Sequence, residues 1–237
     1  MTHKLSGENL TLIRGERCLF QDLSFALESG NLLILEGRNG CGKTSLIRAI
    51  AGMLSLEEGT VYWDDEPVEK VRQGFHGSLV WLAHRTGLKG DLTLVENLGF
   101  ERSLRAHLDR DPEEVYERLG ISRLKKLILR SLSAGQQRRV ALARMLLADV
   151  PLWFMDEPFT NLDREGRVLV MELVEEHCST GGLCVMAAHQ DVDIKLPTTR
   201  VKIQCTRRGE KYQEFFTALA QRPNATCCWR GRDPVMY

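Results

Sequence analysis

The stretch "GRNGCGKTS", residues 37–45, carries the spacing Gly37-x-x-x-x-Gly42-Lys43-Thr44. An apolar run, "LLIL", precedes it and an apolar-periodic stretch, "LIRAIAGM", follows. Glycines let a backbone wrap an anion and aim its amides inward. A helix starting just behind such a loop adds the positive end of its dipole. The spacing therefore predicts a phosphate-binding loop of a nucleotide site, lined by Gly37, Arg38, Asn39, Gly40, Cys41, Gly42, Lys43, Thr44 and Ser45. Lys43 supplies a mobile charge for β- and γ-phosphates, and the Thr44 hydroxyl is a ligand for Mg2+.

A second chemical group is "LWFMDEP", which sets Asp156 and Glu157 at the end of an apolar strand. In open α/β sheets, ligands lie beyond the carboxyl ends of the strands. Asp156 is placed to hold Mg2+, directly or through water. Glu157 is placed to act as general base on a water in line with the γ-phosphate. Asp163 in "TNLD" belongs to the same region and is a candidate contact to a neighbouring site. His189 follows the apolar run "LCVMAA", where it is a candidate sensor of the γ-phosphate.

A third stretch, "LSAGQQRRVALAR", residues 132–144, reads as a helix start. Ser133 and Gln136 have the spacing of a capping box. Val140, Ala143 and Leu147 recur at helical intervals and belong to a core face. The small pair Ala134-Gly135 leaves amides uncovered, which makes the turn a second candidate anion site.

The elements that must position these groups alternate. "LTLIRG", "LSFALE" and "NLLILEG" read as strands, the second half-exposed and antiparallel, the third buried. A helix runs from Lys43 to about Gly52, and "GTVYWDD" is a strand followed by a turn. Residues 91–130 read as a helical insert, with Asp111-Pro112 as cap and first turn. A helix to about Asp149, the buried strand "PLWFMDEP", a helix over 164–178, and the strands "GGLCVMAAH" and "TRVKIQC" follow. The alternation predicts an α/β fold with a mainly parallel central sheet. Beyond Cys205 periodicity fades, leaving a poorly specified tail with one short helix over 210–221.

Composition sets outer bounds. The 237 residues are 43% hydrophobic and 27% charged with zero net charge, so a packed core is expected and a nucleic-acid partner is not. Seven irregularly spaced cysteines fit reduced thiols better than a disulfide framework or zinc site, and "CCWRG" is a weak metal signal. No signal-peptide pattern and no apolar run of about 20 residues is present, so a soluble chain able to dock on a membrane partner is expected.

Taken in order, "GRNGCGKTS", "LSAGQQRR", "LWFMDEP" with "TNLD", and "AAHQ" resemble the ATP-binding cassette ATPases of ABC transporters over about residues 3–205. The resemblance implies a P-loop NTPase with a RecA-like core, an antiparallel β-subdomain and a helical subdomain at about 88–135, leaving 206–237 as tail. It also implies a head-to-tail homodimer sandwiching two ATP molecules. In that sandwich Ser133, Gly135 and Gln136 meet the γ-phosphate bound by the other subunit. "GERCLFQDLSFALESGNLLILEGRNGCGKTSLIRAIAGM", "WLAHRTGLK", "LTLVENLGF" and "LSAGQQRRVALARMLL" with "LWFMDEPFTNLD" are similar to the ATP-binding subunits of cytochrome c maturation, the haem exporters. That likeness implies a peripheral ATPase on the cytoplasmic face of the inner membrane, with integral-membrane partners of the CcmB and CcmC type. Its hydrolysis would serve haem export or release of a haem-loaded chaperone. Another transport substrate, a soluble non-transport cassette ATPase and a non-hydrolysing regulatory module are the alternatives.

Two positions depart from the family pattern. Arg85, in "LAHRTG", stands where most cassettes carry a glutamine, and a guanidinium cannot ligate Mg2+. Either water completes the metal shell there or the preceding His84 takes part. Arg14, in "LTLIRGER", stands where an adenine-stacking aromatic is expected; its planar cation can stack on a base. Phe20 is the runner-up and reads better as a core residue.

Overall fold

The computed structural model of the chain describes residues 2–15, 17–103, 110–188 and 194–203. His189 and the stretch 206–237, with its expected short helix and "CCWRG", lie outside the described residues.

The chain opens with β1 (Lys4–Arg14), β2 (Arg17–Glu28) and β3 (Leu32–Glu36), then α1 (Lys43–Ile50). Next come β4 (Glu58–Trp63) and β5 (Glu66–Pro67). Asp64 and Asp65 both take positive φ, the backbone of a two-residue turn that matches strand twist, so Trp63 pairs with Glu66. β1 pairs antiparallel with both β2 and β4, giving a four-stranded sheet of order β2-β1-β4-β5.

A short helix α2 (Arg72–Gly77) leads into β6 (Leu79–Leu82). Neither is read from the sequence, because a six-residue helix and a four-residue strand are too short to show a period. α3 (Leu94–Ser103) and α4 (Pro112–Arg118) follow. Asp111 caps α4 by accepting from the Glu113 amide at 3.0 Å, with Pro112 in the first turn. The last part of the expected helical insert is two 3-10 turns, Ser122–Leu124 and Leu129–Ser131, rather than α-helix. α5 (Ala134–Ala148), β7 (Leu152–Asp156), α6 (Arg164–Ser179), β8 (Leu183–Ala187) and β9 (Thr198–Lys202) complete the described chain.

The five strands β6-β7-β8-β3-β9 form one sheet, all parallel, as the alternation predicts. Its strands point alternate side chains to two cores. Leu33, Leu35, Phe154 and Val185 pack with α1 and the antiparallel sheet. Leu32, Ile34, Met155 and Met186 pack with α5, α6 and the 94–132 region. Phe20 is buried in the first core, as the core reading of it expects. All five carboxyl ends lie on one edge, so the segments following β3, β6, β7 and β8 come together there.

Candidate active site

The loop after β3 exposes Arg38, Asn39 and Gly40 at its tip and buries Cys41 and Lys43. Gly42 is the N-cap of α1 at φ +110, a backbone that side chains other than glycine's rarely adopt. A Cβ there would also stand 3.1 Å from Leu19 Cβ of β2, which places the β1–β2 hairpin against the loop. Lys43 Nζ donates to the Gly37 carbonyl at 2.8 Å and the Arg38 carbonyl at 3.2 Å. Its cation is thus held inside the ring of loop residues.

On the first turn of α1, the Thr44 hydroxyl donates to Asp156 Oδ2 at 2.7 Å. Asp156 is the last residue of β7 and is 2% exposed. The structure therefore joins the two residues that the sequence proposes as metal ligands. A hydroxyl and a buried carboxylate side by side are hard oxygen donors, the donor set that suits Mg2+. Ser45 is half-buried on the same first turn.

Glu157 follows Asp156 and sits at φ +51, a left-handed conformation for a residue that carries a Cβ. Its amide donates to the Ala187 carbonyl of β8 at 3.0 Å, and its own carbonyl accepts from Thr160 at 3.2 Å. The Glu157 side chain is part exposed beside the exit of β6. There His84 Nδ1 lies 3.5 Å from Glu157 Oε2. His84 is the second residue past β6, and Arg85 beside it is exposed.

The turn before α5 forms the reciprocal cap that its spacing predicts. Ser133 Oγ accepts from the Gln136 amide at 3.2 Å, and Gln136 Oε1 accepts from the Ser133 amide at 2.9 Å. The Ala134 and Gly135 amides make no hydrogen bond among the described residues, as expected for the first helical positions. Ser133 and Ala134 are exposed. A Cβ on Gly135 would stand 3.0 Å from the Asn161 carbonyl, so the small residue lets this turn pack on "TNLD". Asp163 caps α6, accepting from the Gly166 amide at 2.7 Å, while its side chain remains largely exposed. Arg14 is exposed at the end of β1, opposite Arg17.

One residue of this region is not found from the sequence. Arg138 of α5 is 2% exposed and donates to four backbone carbonyls. Burial pushes its guanidinium down to about 10, opposed by the nearby charges of Asp156 and Glu157. The helical period puts it four residues before Leu142 on a buried face, but a charged residue there reads as solvent-facing unless its partners are known.

The profile of the family described as "ABC transporter" matches residues 20–160, more than half of the chain. The chain belongs to the ABC transporter family. It is an ATPase of the ABC type, and nucleotide binding is the common property of the cassette. This cassette is 43% identical over 199 residues to the cytochrome c biogenesis ATP-binding export protein CcmA of Vibrio parahaemolyticus, covering 83% of this chain and 97% of that protein. It is 43% identical over 192 residues to the protein of the same name in Haemophilus influenzae, covering 80% and 91%. The Yersinia pestis protein of that name is 42% identical over 189 residues, covering 79% and 87%. Among solved structures, the fold matches a putative ABC transporter ATP-binding protein from Pyrococcus furiosus with a TM-score of 0.72 at 22% identity, covering 83% and 96%. It also matches the ATP-binding subunit of an ABC transporter with a TM-score of 0.71 at 21% identity, covering 78% and 79%. Both confirm the fold class read from the strand and helix order. Among the described residues no helix is long and apolar enough to cross a membrane, and no group of three or more metal-binding side chains occurs.

Proposed function

We propose that this cassette hydrolyses ATP to drive a membrane complex of cytochrome c maturation, serving haem export or release of a haem-loaded chaperone. The 41–43% identity to proteins named as cytochrome c biogenesis ATP-binding export proteins supports the cellular role. The 2.7 Å hydrogen bond between Thr44 and Asp156, with Glu157 next in line, is the observation that carries the chemistry.

The loop from Gly37 to Ser45 binds the phosphates, and Lys43 exchanges its two carbonyl partners for β- and γ-phosphate oxygens. Thr44 and Asp156 would hold Mg2+, whose charge would offset that of the phosphates. Glu157 orients water in line with the γ-phosphate and takes its proton. His189 donates to the γ-phosphate and reports its presence. Arg14 stacks on the adenine.

The other half of each site comes from a second copy. The helical subdomain at about 88–135 presents Ser133, Gly135 and Gln136 to the γ-phosphate bound by the partner, and Asp163 lies along the same seam. The cap leaves the Ser133 hydroxyl proton and two amides available for that anion. The dimer docks peripherally on integral-membrane subunits of the CcmB and CcmC type at the cytoplasmic face of the inner membrane.

Mixing Ser133→Arg subunits with Lys43→Ala subunits tests the shared site. In the heterodimer one site carries both lesions and the other carries none. Partial recovery of ATPase activity over either parent is the expected result. A mixture as inactive as its parents, with heterodimer formation verified, refutes shared sites that act singly.

A further inference from the structure

Arg138 is the one described arginine that the site surrounds on several sides with backbone oxygen. Its Nη1 donates to Ala83 O at 2.8 Å, and its Nη2 to Glu157 O at 2.7 Å and Asp156 O at 3.3 Å. Its Nε donates to Pro158 O at 3.3 Å. These acceptors belong to two separate segments: the exit of β6, and the last residue of β7 with the turn that follows it. A guanidinium presents its donors in a rigid plane, so fixing one segment against it fixes the other.

Both segments carry a side chain of the site. Ala83 is followed by His84, whose Nδ1 lies 3.5 Å from Glu157 Oε2. Glu157 itself sits at φ +51, and the Arg138 bond is made to its own carbonyl. The third body is α5, whose first turn, with Ser133 and Gly135, begins one helical turn before Arg138.

We propose that Arg138 is a positioning residue that clamps the left-handed Glu157 turn and the His84 segment to α5, so that the Ser133 capping turn and the general base move as one unit. The inference rests on Glu157 being the base. Arg138 is buried and its hydrogen bonds go to backbone carbonyls, so its role is to hold backbone rather than to bind ligand. Its loss therefore lowers turnover without loosening ATP. A buried arginine that served only to fill the core would affect melting and leave turnover per folded molecule unchanged.

Three features separate the clamp from other roles. Lysine keeps the charge but reaches carbonyls as a single point, so it restores part of the function. Glutamine has one donor nitrogen and cannot span both segments. Finally, groups acting through one another are non-additive in combination.

The test uses the full chain and four proteins: wild type, Arg138→Gln, Glu157→Gln and the double variant, with Arg138→Lys carrying the same cycle if the glutamine variant does not fold. Single-turnover hydrolysis, ATP affinity in EDTA and melting are measured for each. Arg138→Gln is expected to slow hydrolysis by about 100-fold, the scale of a 1 Å misplacement of a reacting group. Its ATP affinity should stay within about threefold, and Arg138→Lys should fall between it and wild type. The double variant should be no slower than Glu157→Gln alone. Wild-type turnover in a folded Arg138→Gln protein overturns the inference. So does a double variant slowed by the product of the two single effects. Unchanged turnover in Glu157→Gln instead overturns the base assignment beneath it, which the other results cannot mimic.

Discussion

Thr44 Oγ1 and Asp156 Oδ2 meet at 2.7 Å although 112 residues separate them in the chain. The first turn of α1 and the carboxyl end of β7 are thereby held in a single register beside the loop that follows β3. Asp156 is almost fully buried, so its carboxylate is oriented by the Thr44 hydroxyl rather than by solvent. Asp156→Asn keeps the shape and removes that charge. It is expected to lower ATPase activity at saturating Mg2+ by at least about 100-fold, a loss of roughly 3 kcal/mol of charge stabilisation. ATP binding in EDTA should be unchanged. An Asp156→Asn protein with wild-type Mg2+ dependence would remove this pair from the metal site.

The turn at Ser133 caps α5 and is proposed to meet a phosphate, and substitutions can separate the two. Ser133 Oγ caps α5 by accepting from the Gln136 amide. Ser133→Ala removes the cap and should cost about 1 kcal/mol, or about 2–4 °C in Tm for a chain of this size. Ser133→Asp also caps, so its Tm should match wild type. It places a carboxylate where the proposed anion binds, and ATPase activity should fall at least about tenfold from charge repulsion. Full activity in Ser133→Asp would show that no phosphate meets this turn.

How far the sequence carried the reading depends on the residue. The loop between β3 and α1 is legible because its glycine and lysine spacing is local, and the strand before it and the helix after it are as expected. Ser133 and Gln136 were legible for the same reason, since a capping box is local. The convergence of Thr44 with Asp156 follows from a parallel sheet with ligands at its carboxyl edge, which alternation of strand and helix announces. Arg138 was not legible. Its four acceptors are carbonyls, which every residue has, and they come from segments 18 to 55 residues away. The left-handed turn at Glu157 was hidden too, because nothing in "MDEP" marks a positive φ at a glutamate.

His177 stacks on Trp153 with ring centroids 4.0 Å apart, and its Nε2 donates to the Pro151 and Leu183 carbonyls at 3.2 and 3.3 Å. Burial pushes its pKa down to about 4, against an ordinary value of 6.5. The neutral ring is therefore the folded form, while the unfolded chain takes up a proton below pH 6.5. The contribution is complete above pH 6.5 and is lost as pH falls toward 4. Between pH 6.5 and 5 the loss should be about 2 kcal/mol. Urea melts of wild type and His177→Gln across this range check it: the wild-type slope should exceed the variant's by that amount. Parallel slopes would mean that the ring is not held neutral.

Gly42 joins the loop to α1 at φ +110, with Leu19 Cβ 3.1 Å from where its own Cβ would lie. Gly42→Ala therefore meets two obstacles, a disfavoured backbone and a strand that must give way. The β1–β2 hairpin is anchored along β1, so the loop is the part that yields. Strain of about 1–3 kcal/mol is expected from the backbone alone. Relief of that strain moves the amide of Lys43 away from the phosphates, so ATP affinity should fall by at least about tenfold, 1.4 kcal/mol of binding. Stability should drop as well, by an amount that saturating ATP no longer restores to the extent seen in wild type. Calorimetric titration with ATP and thermal melts with and without nucleotide measure the two effects together. An alanine variant that binds ATP normally would show that the loop holds phosphate without the left-handed turn.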